Sequence, residues 1–219
     1  MHGYHPPEEE YLSTIREMQE DGIAVIQARL AERLGYSAPS VSAMLKRLEQ
    51  AGLVTVGENR EIELTADGRR RAESVVRRHR LAERLLTDIL GLEWHMVHEE
   101  AARWEHVISD AVEARLVEVL GEPATCPHGN PIPGLGVPRN DLIPLSRASS
   151  GDSVTIERIT ETIEVDLALV RFLDDNGVRP GAPFVVAQVS PDGTLVLRSD
   201  GATVAIGAEI SENLYVAIS

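Results

Sequence analysis

With 219 residues, 43% of them hydrophobic and 26% charged, the chain has material for two or three small cores and is neither a disordered nor a fibrous sequence. No run of about 18 apolar residues crosses a membrane, and the start Met1-His2-Gly3-Tyr4-His5-Pro6-Pro7 lacks the basic and apolar segments of a signal peptide, so the cytoplasm is the expected compartment. The single cysteine, Cys126, excludes an internal disulfide and leaves a quiet thiol or a ligand.

A formal charge of −14 argues against contact with nucleic acid, because phosphate neutralisation supplies most non-specific affinity. The acidity is uneven, however. Residues 1–80 hold 12 Lys/Arg against 13 Asp/Glu, whereas residues 81–219 hold 9 against 22, so the N-terminal third is close to neutral.

In chain order, Tyr11, Leu12, Ile15 and Met18 recur at helical spacing and predict a first amphipathic helix from Glu8 to about Glu20. A second is expected from Ala24, Val25 and Ile26 through Leu30 to Leu34, stopped by Gly35. Ser37 then offers an N-cap and Pro39 an early proline for a third helix carrying Val41, Met44, Leu45 and Leu48. Helix, short glycine turn, helix is the helix-turn-helix pattern. Leu53 to Val56 and Glu61 to Thr65, joined at Gly57-Glu58-Asn59-Arg60, predict a hairpin, the wing of a winged helix. Arg29, Ser37, Pro39, Ser40, Ser42, Lys46 and Arg47 are the candidate DNA contacts, the small residues at the start of the third helix reading base edges and the cations meeting phosphates. A winged helix can also serve protein contact alone.

After Thr65 a long helix is expected to reach Leu90-Gly91. A further helix begins near Trp94 to His98 and continues past Ala111, and a third spans Ala111 to Leu120. Such apolar faces, more than one domain needs, suggest a dimerisation unit that lets paired winged helices read a palindrome. From Gly134 to Ser153 the composition is that of a linker. Beyond it, alternating segments at Val154–Ile156, Phe184–Ala187, Thr194–Leu197 and Thr203–Ile206, with turns at Pro191-Asp192-Gly193 and Ser199-Asp200-Gly201, predict a small SH3-like β-barrel with one helix inserted near Val165 to Asn176. The expected fold is mainly α with small β parts.

His79 and Glu83 share one helical face, and His98, Ala102, Glu105 and His106 form a second stripe. Imidazole and carboxylate together suit Mn(II), Fe(II), Zn(II) or Co(II). Any one of these residues could equally belong to a solvated charged face. His79-Arg80-Leu81-Ala82-Glu83-Arg84-Leu85-Leu86, Val97-His98-Glu99-Glu100-Ala101-Ala102-Arg103-Trp104-Glu105-His106 and Gly129-Asn130-Pro131-Ile132-Pro133-Gly134 resemble the signature segments of the diphtheria toxin repressor family of iron- and manganese-dependent repressors. The resemblance covers the whole chain and is closest over about residues 10 to 134.

The resemblance implies three domains: a winged helix over 1–73, a helical metal-binding and dimerisation domain over 74–140, and an SH3-like, FeoA-like domain over 151–219. It implies a homodimer, one or two dimers per double-stranded palindromic operator, and no membrane. It also implies a regulatory site at Glu10, Ala102, Glu105 and His106. Glu10 is a carboxylate of the manganese type, but Ala102 has no side-chain ligand, and a backbone carbonyl, a water or His79 would have to complete the shell. A second site resembles either His79, Glu83 and His98 with groups from the third domain, or Glu83, Cys126, His128 and an aspartate, here Asp166 with Glu164 as its rival. Mn(II) is the expected metal with Fe(II) close behind, and the Cys126 thiolate would attract Zn(II), Co(II) or Cd(II) in vitro.

Two other classes compete: a metal-independent winged-helix regulator of an organic ligand, and a metalloenzyme. The enzyme reading lacks a His-Glu-x-x-His run, a Gly-x-Ser-x-Gly elbow or a phosphate-binding glycine loop, so no enzymatic activity is expected.

Overall fold

The computed structural model describes residues 7–199 and 202–218; Asp200 and Gly201 of the last expected turn lie outside them. The chain divides into two compact units. One runs to His79 and adds Ala102–Glu113; the other takes Arg80–Ala101 and continues from Ala114.

In the first unit α1 (Pro7–Glu20), α2 (Gln27–Leu34) and α3 (Ala38–Gln50) precede a two-stranded antiparallel wing, β1 (Val54–Val56) and β2 (Ile62–Leu64). Ser37 caps α3 through its side-chain oxygen, which accepts from Ser40 N, and Pro39 stands in the first turn. Leu12, Ile15, Leu30, Val41 and Leu48 fill one core with Ile62 from the wing, and burial of each such side chain contributes roughly 1.5–3 kcal/mol. The second helix begins three residues later than Ala24. Ile26 is extended and bridges to Glu61, and Val25 O accepts from Ile62 N at 2.8 Å, so these β-branched residues edge the wing instead of entering the helix. α4 (Ala66–Arg84) starts so close to β1 that a Cβ on Gly68 would meet Leu53 O at 1.9 Å.

The long helix ends at Gly91, φ 68, as predicted, although its last turn, Leu85–Ile89, is of the wider π type. The next helix departs from its prediction. After a short 3₁₀ turn, Trp94–Met96, α5 (Val97–Trp104) ends one residue before Glu105 instead of continuing past Ala111. The interruption has a local cause. Ser109 O accepts from Glu113 N and its Oγ from Val112 N, starting a separate α6 (Asp110–Val119).

In the second unit a six-stranded antiparallel sheet has the order β3-β8-β4-β5-β6-β7. Its strands are β3 (Ile143–Pro144), β4 (Ser153–Ile159), β5 (Pro183–Val189), β6 (Leu195–Ser199), β7 (Ala202–Ile206) and β8 (Leu214–Ile218). The chain expected to be a linker thus supplies β3 and a 3₁₀ turn whose Leu145 is fully buried. Two helices, α7 (Glu161–Glu164) and α8 (Leu167–Asp175), stand where one was predicted, and a further short one, α9 (Ala208–Glu212), precedes β8. Ile156, Leu173, Val186, Leu197 and Val216 form the core, which also takes in Trp94 from far upstream. A bulge between Ile156 and Arg158 shifts the β4 register against β8.

Candidate metal centres and nucleic-acid face

Two groups of titratable side chains can be built up, one in each unit. In the first, α4 presents His79, and the turn after α5 presents Glu105 and His106. His79 Nδ1 lies 2.6 Å from Glu105 Oε2, His106 Nε2 lies 3.1 Å from Glu105 Oε1, and His106 Nδ1 lies 2.8 Å from Glu9 Oε2. Burial alone would raise the Glu105 carboxyl, but hydrogen bonds to His106 and His79 outweigh it and hold it down at about 2. The reciprocal effect lifts His106: burial lowers it, and Glu105 and Glu9 raise it by more.

The first-helix carboxylate at this cluster is therefore Glu9. The side chain of Glu10 turns elsewhere, its oxygens 3.1 and 3.3 Å from the Tyr36 hydroxyl, which donates to it. Successive helical residues point about 100° apart, so a Glu8-Glu9-Glu10 run leaves their faces undecided. Ala102 offers only a methyl group to this region.

In the second unit a tight turn presents Cys126 and His128. Cys126 N donates to Asn130 O at 2.8 Å, and Gly129, at φ 90, lies where a Cβ would meet Glu157 O of the β4 bulge at 2.0 Å. Ile159 N donates to His128 O at 2.8 Å, fastening the turn to β4. Glu83 reaches in from α4, His98 from α5 and Glu164 from α7. His128 Nδ1 lies 3.1 Å from Glu164 Oε2 and 3.3 Å from Glu83 Oε1; His98 Nδ1 lies 3.1 and 3.4 Å from the same two oxygens. Ligand atoms of Glu83, Cys126 and His128, and separately of Glu83, His98 and Glu164, fall within 4.8 Å of one another.

Asp166, the residue first expected in this pocket, is not brought to it. It is exposed and caps α8, its Oδ1 accepting from Ala168 N and Leu169 N at 3.0 Å each, while Glu164 supplies the buried carboxylate. An Asp directly before an apolar helix is an N-cap signature, and that signal in the sequence separates it from Glu164.

Whether these groups suit a cation can be judged from their own chemistry. Glu83, His128 and Glu164 are buried, yet neither ring nitrogen of His128 nor Glu164 Oε2 makes a well-directed hydrogen bond. Buried polar atoms left so are costly unless something pairs with them. Burial pulls the His128 imidazolium down, but Glu164 and Glu83 outweigh it and hold it well above 6.5. Burial, with Glu83 beside it, pushes the Cys126 thiol up to about 12. Burial likewise raises Glu164, and His128 outweighs it, keeping that carboxylate ionised. A carboxylate-rich pocket with imidazole and thiol donors fits a divalent cation.

Next to the pocket Arg80, fully buried, places its guanidinium against Glu161 Oε1 (Nη2 at 3.0 Å, Nε at 3.3 Å) and donates to Pro131 O. Trp94 donates to Pro127 O at 3.1 Å, and its ring centroid lies 4.5 Å from that of His128. These partners were not singled out from the sequence.

On the first unit Arg29, Ser37, Pro39, Ser40, Ser42, Lys46 and Arg47 are all exposed. Ser37, Pro39, Ser40 and Ser42 crowd the N-terminal end of α3. Arg47 is paired with Glu8 Oε1 at 3.1 Å. A three-helix module with a wing, a polar reading helix and buried cation donors elsewhere in the chain defines the class of metal-responsive DNA-binding regulators.

Comparison with known proteins narrows the class. Residues 6–62 match the iron dependent repressor N-terminal DNA binding domain, residues 65–134 the iron dependent repressor metal binding and dimerisation domain, and residues 143–218 the FeoA domain. The iron-dependent repressor IdeR of Mycobacterium leprae is 44% identical over 204 residues, covering 88% of each chain. The diphtheria toxin repressor of Corynebacterium glutamicum is 44% identical over 222 residues, covering 95% of this chain and 94% of the other. Among solved structures, a manganese-dependent transcriptional repressor in complex with manganese superposes with a TM-score of 0.86 at 34% identity, covering 97% of this chain and all of that one. ScaR with bound Zn2+ superposes at 0.81 with 27% identity, covering 96% of this chain and 99% of the other. The chain belongs to the iron-dependent, diphtheria toxin repressor family: it is a metal-dependent DNA-binding transcriptional repressor with a helical dimerisation domain and a C-terminal SH3-like FeoA domain.

Proposed function

We propose that this repressor senses Mn(II) first and Fe(II) second, with the metal as corepressor for metal-homeostasis genes. The observation that carries the reading is the convergence of Glu83, His98, Cys126, His128 and Glu164, in which both ring nitrogens of His128 and Glu164 Oε2 are buried without a well-directed hydrogen bond among the described residues. The second cluster, Glu9, His79, Glu105 and His106, takes a smaller, harder donor set with no sulfur, which favours Mn(II) or Fe(II) by ligand type. Cys126 makes its own pocket the one attractive to Zn(II), Co(II) or Cd(II). A bound divalent ion supplies two positive charges at a point where several carboxylates meet.

Glu9 belongs to α1 of the DNA-reading module, and Glu105 and His106 belong to the turn after α5. Their joint engagement favours one posture of the reading helix over others, which is a population shift. The domain reading of 1–73, 74–140 and 151–219 goes with this, as do a homodimer on a palindromic operator, a cytoplasmic location and the lack of an enzymatic activity. Lys46 and Arg47 meet phosphates; Ser37, Pro39, Ser40 and Ser42 meet base edges; Arg29, exposed on α2, is a further contact.

The test is retention of genomic fragments selected by the metal-loaded protein, followed by fluorescence anisotropy while Mn(II), Fe(II), Co(II) or Zn(II) is added and then chelated. Retention that rises with metal and disappears with chelator supports the reading, and Glu9→Ala should abolish that response while Glu10→Ala leaves most of it. Identical retention with and without chelator would instead favour a regulator of an organic ligand.

A further inference from the structure

We infer that Asn130, pinned by Arg158, is a positioning residue that lets Glu164 meet a cation through one oxygen only. The inference rests on the reading of Glu83, His98, Cys126, His128 and Glu164 as a cation pocket.

Asn130 is fully buried at the end of the turn that carries Cys126 and His128. Its side chain meets three partners: Arg158 Nε at 2.6 Å from Oδ1, and Ile159 O at 2.8 Å and Glu164 Oε1 from Nδ2. Arginine can only donate and a backbone carbonyl can only accept, so one orientation of the amide satisfies both. The oxygen faces Arg158 and the NH₂ faces Ile159 O and Glu164.

Arg158 is itself held in place. The bulge in β4 changes the phase of the strand just before it, and its guanidinium carbon lies 5.1 Å from the centroid of the Tyr215 ring on β8. The chain of contacts runs from Tyr215 through Arg158 and Asn130 to Glu164 Oε1. That oxygen is occupied by an N–H donor. The other, Oε2, faces His98 Nδ1 and His128 Nδ1, each 3.1 Å away, and accepts no well-directed hydrogen bond.

Two consequences follow for a bound cation. Glu164 contributes one donor atom, leaving these five side chains with at most six: one each from His98, Cys126, His128 and Glu164, and one or two from Glu83. A carboxylate kept from chelating also narrows the accessible coordination numbers, which disfavours large ions with many oxygen ligands relative to small ions with few.

The experiment uses the full chain and Co(II) as probe, read by absorption. A near-ultraviolet sulfur-to-cobalt charge-transfer band reports Cys126 at the ion, and visible d–d intensity falls as coordination number rises. In Asn130→Ala, Glu164 is free to chelate, so the charge-transfer band should persist while the d–d bands weaken. Zn(II) affinity at this pocket should drop by roughly 10–100-fold, the usual effect of losing such a partner, with Cd(II) affinity changed less. Arg158→Met leaves Asn130 in place but unpinned and should shift the spectrum in the same direction by less; it decides the matter if Asn130→Ala does not fold. A charge-transfer band with d–d bands and Zn(II) affinity like the parent in the folded variants overturns this inference alone. No charge-transfer band in the parent chain overturns the inference together with the pocket reading.

Discussion

Metal binding at the Cys126 pocket should expel protons, and the number can be worked out from its neighbours. The Cys126 thiol is pushed up to about 12 by burial, so near pH 7 it is fully protonated. The His128 imidazolium, drawn down by burial but held well above 6.5 by Glu164 and Glu83, carries its proton there as well. Glu164 is lowered and has none to give. A cation needs thiolate and neutral imidazole, so binding releases about two protons from Cys126 and His128 together. Those two releases by themselves make apparent affinity climb about 100-fold per pH unit near neutrality, or about 2.7 kcal/mol. The sign follows from raised pKa values: lowering the pH favours the protonated, metal-free pocket. Calorimetric titration with Zn(II) in two buffers of different ionisation enthalpy counts the protons directly. Protons released at the Glu105 cluster are common to parent and variant and cancel in the difference. Cys126→Ser should therefore release about one proton fewer. Equal proton release by parent and variant, with Zn(II) bound to both, would refute the assignment of Cys126 as ligand.

Trp94 should report the same event, since its ring lies against His128. In a Trp104→Phe background, Zn(II) should raise its emission by removing the quenching imidazolium, and His128→Gln should abolish the response. Arg80→Met would leave the Glu161 carboxylate buried without its cation, at a cost of roughly 3–5 kcal/mol, seen as a fall of about 10 °C in the melting temperature. For the metal-free chain, Glu105 is depressed from 4.5 to about 2, contributing up to about 3 kcal/mol that is present above 4.5 and lost as pH falls toward 2. Glu105→Gln should flatten that acid limb in denaturant melts, and an unchanged limb would show that the contribution lies elsewhere. Replacing both Lys46 and Arg47 by Ala should reduce the slope of log affinity against log salt by about two per subunit, or about four for a dimer, if each meets a phosphate.

Much of the fold was legible because local signals and packing agreed. Ser37 and Pro39 start α3 where their chemistry says a helix starts, and the 3.6-residue rows of α1 and α3 are the rows that form the core. The misses lie where tertiary contacts overrule local preference. Val25 and Ile26 continue an apolar row into α2, yet the hairpin recruits them as an edge. Ile143 and Leu145 sit among prolines and serines that read as linker, and only the pairing of β3 with β8 makes them strand and core.

The candidate centres show the same division. Glu83, His98, Cys126 and His128 could be picked out by residue type and resemblance. Choosing between Glu9 and Glu10 needs the rotation of α1, and between Glu164 and Asp166 the knowledge that one belongs to α7 and the other caps α8. Asn130 and Arg80, which stand in the segments that carry the resemblance, and Arg158 were given no role because an amide or a guanidinium is ordinary in sequence and acquires one only through the group it touches.

Trp94 has a bearing on how this protein can be divided. Its indole completes the hydrophobic interior of the β module although nearly fifty residues separate it from the first strand of that module. A fragment cut at the compositional boundary near residue 140 would carry a hole of indole size, with a penalty of about 3–5 kcal/mol by analogy with large-to-small replacements. The C-terminal module is thus inherited as two separated stretches of chain, and transplanting it into another protein requires carrying both.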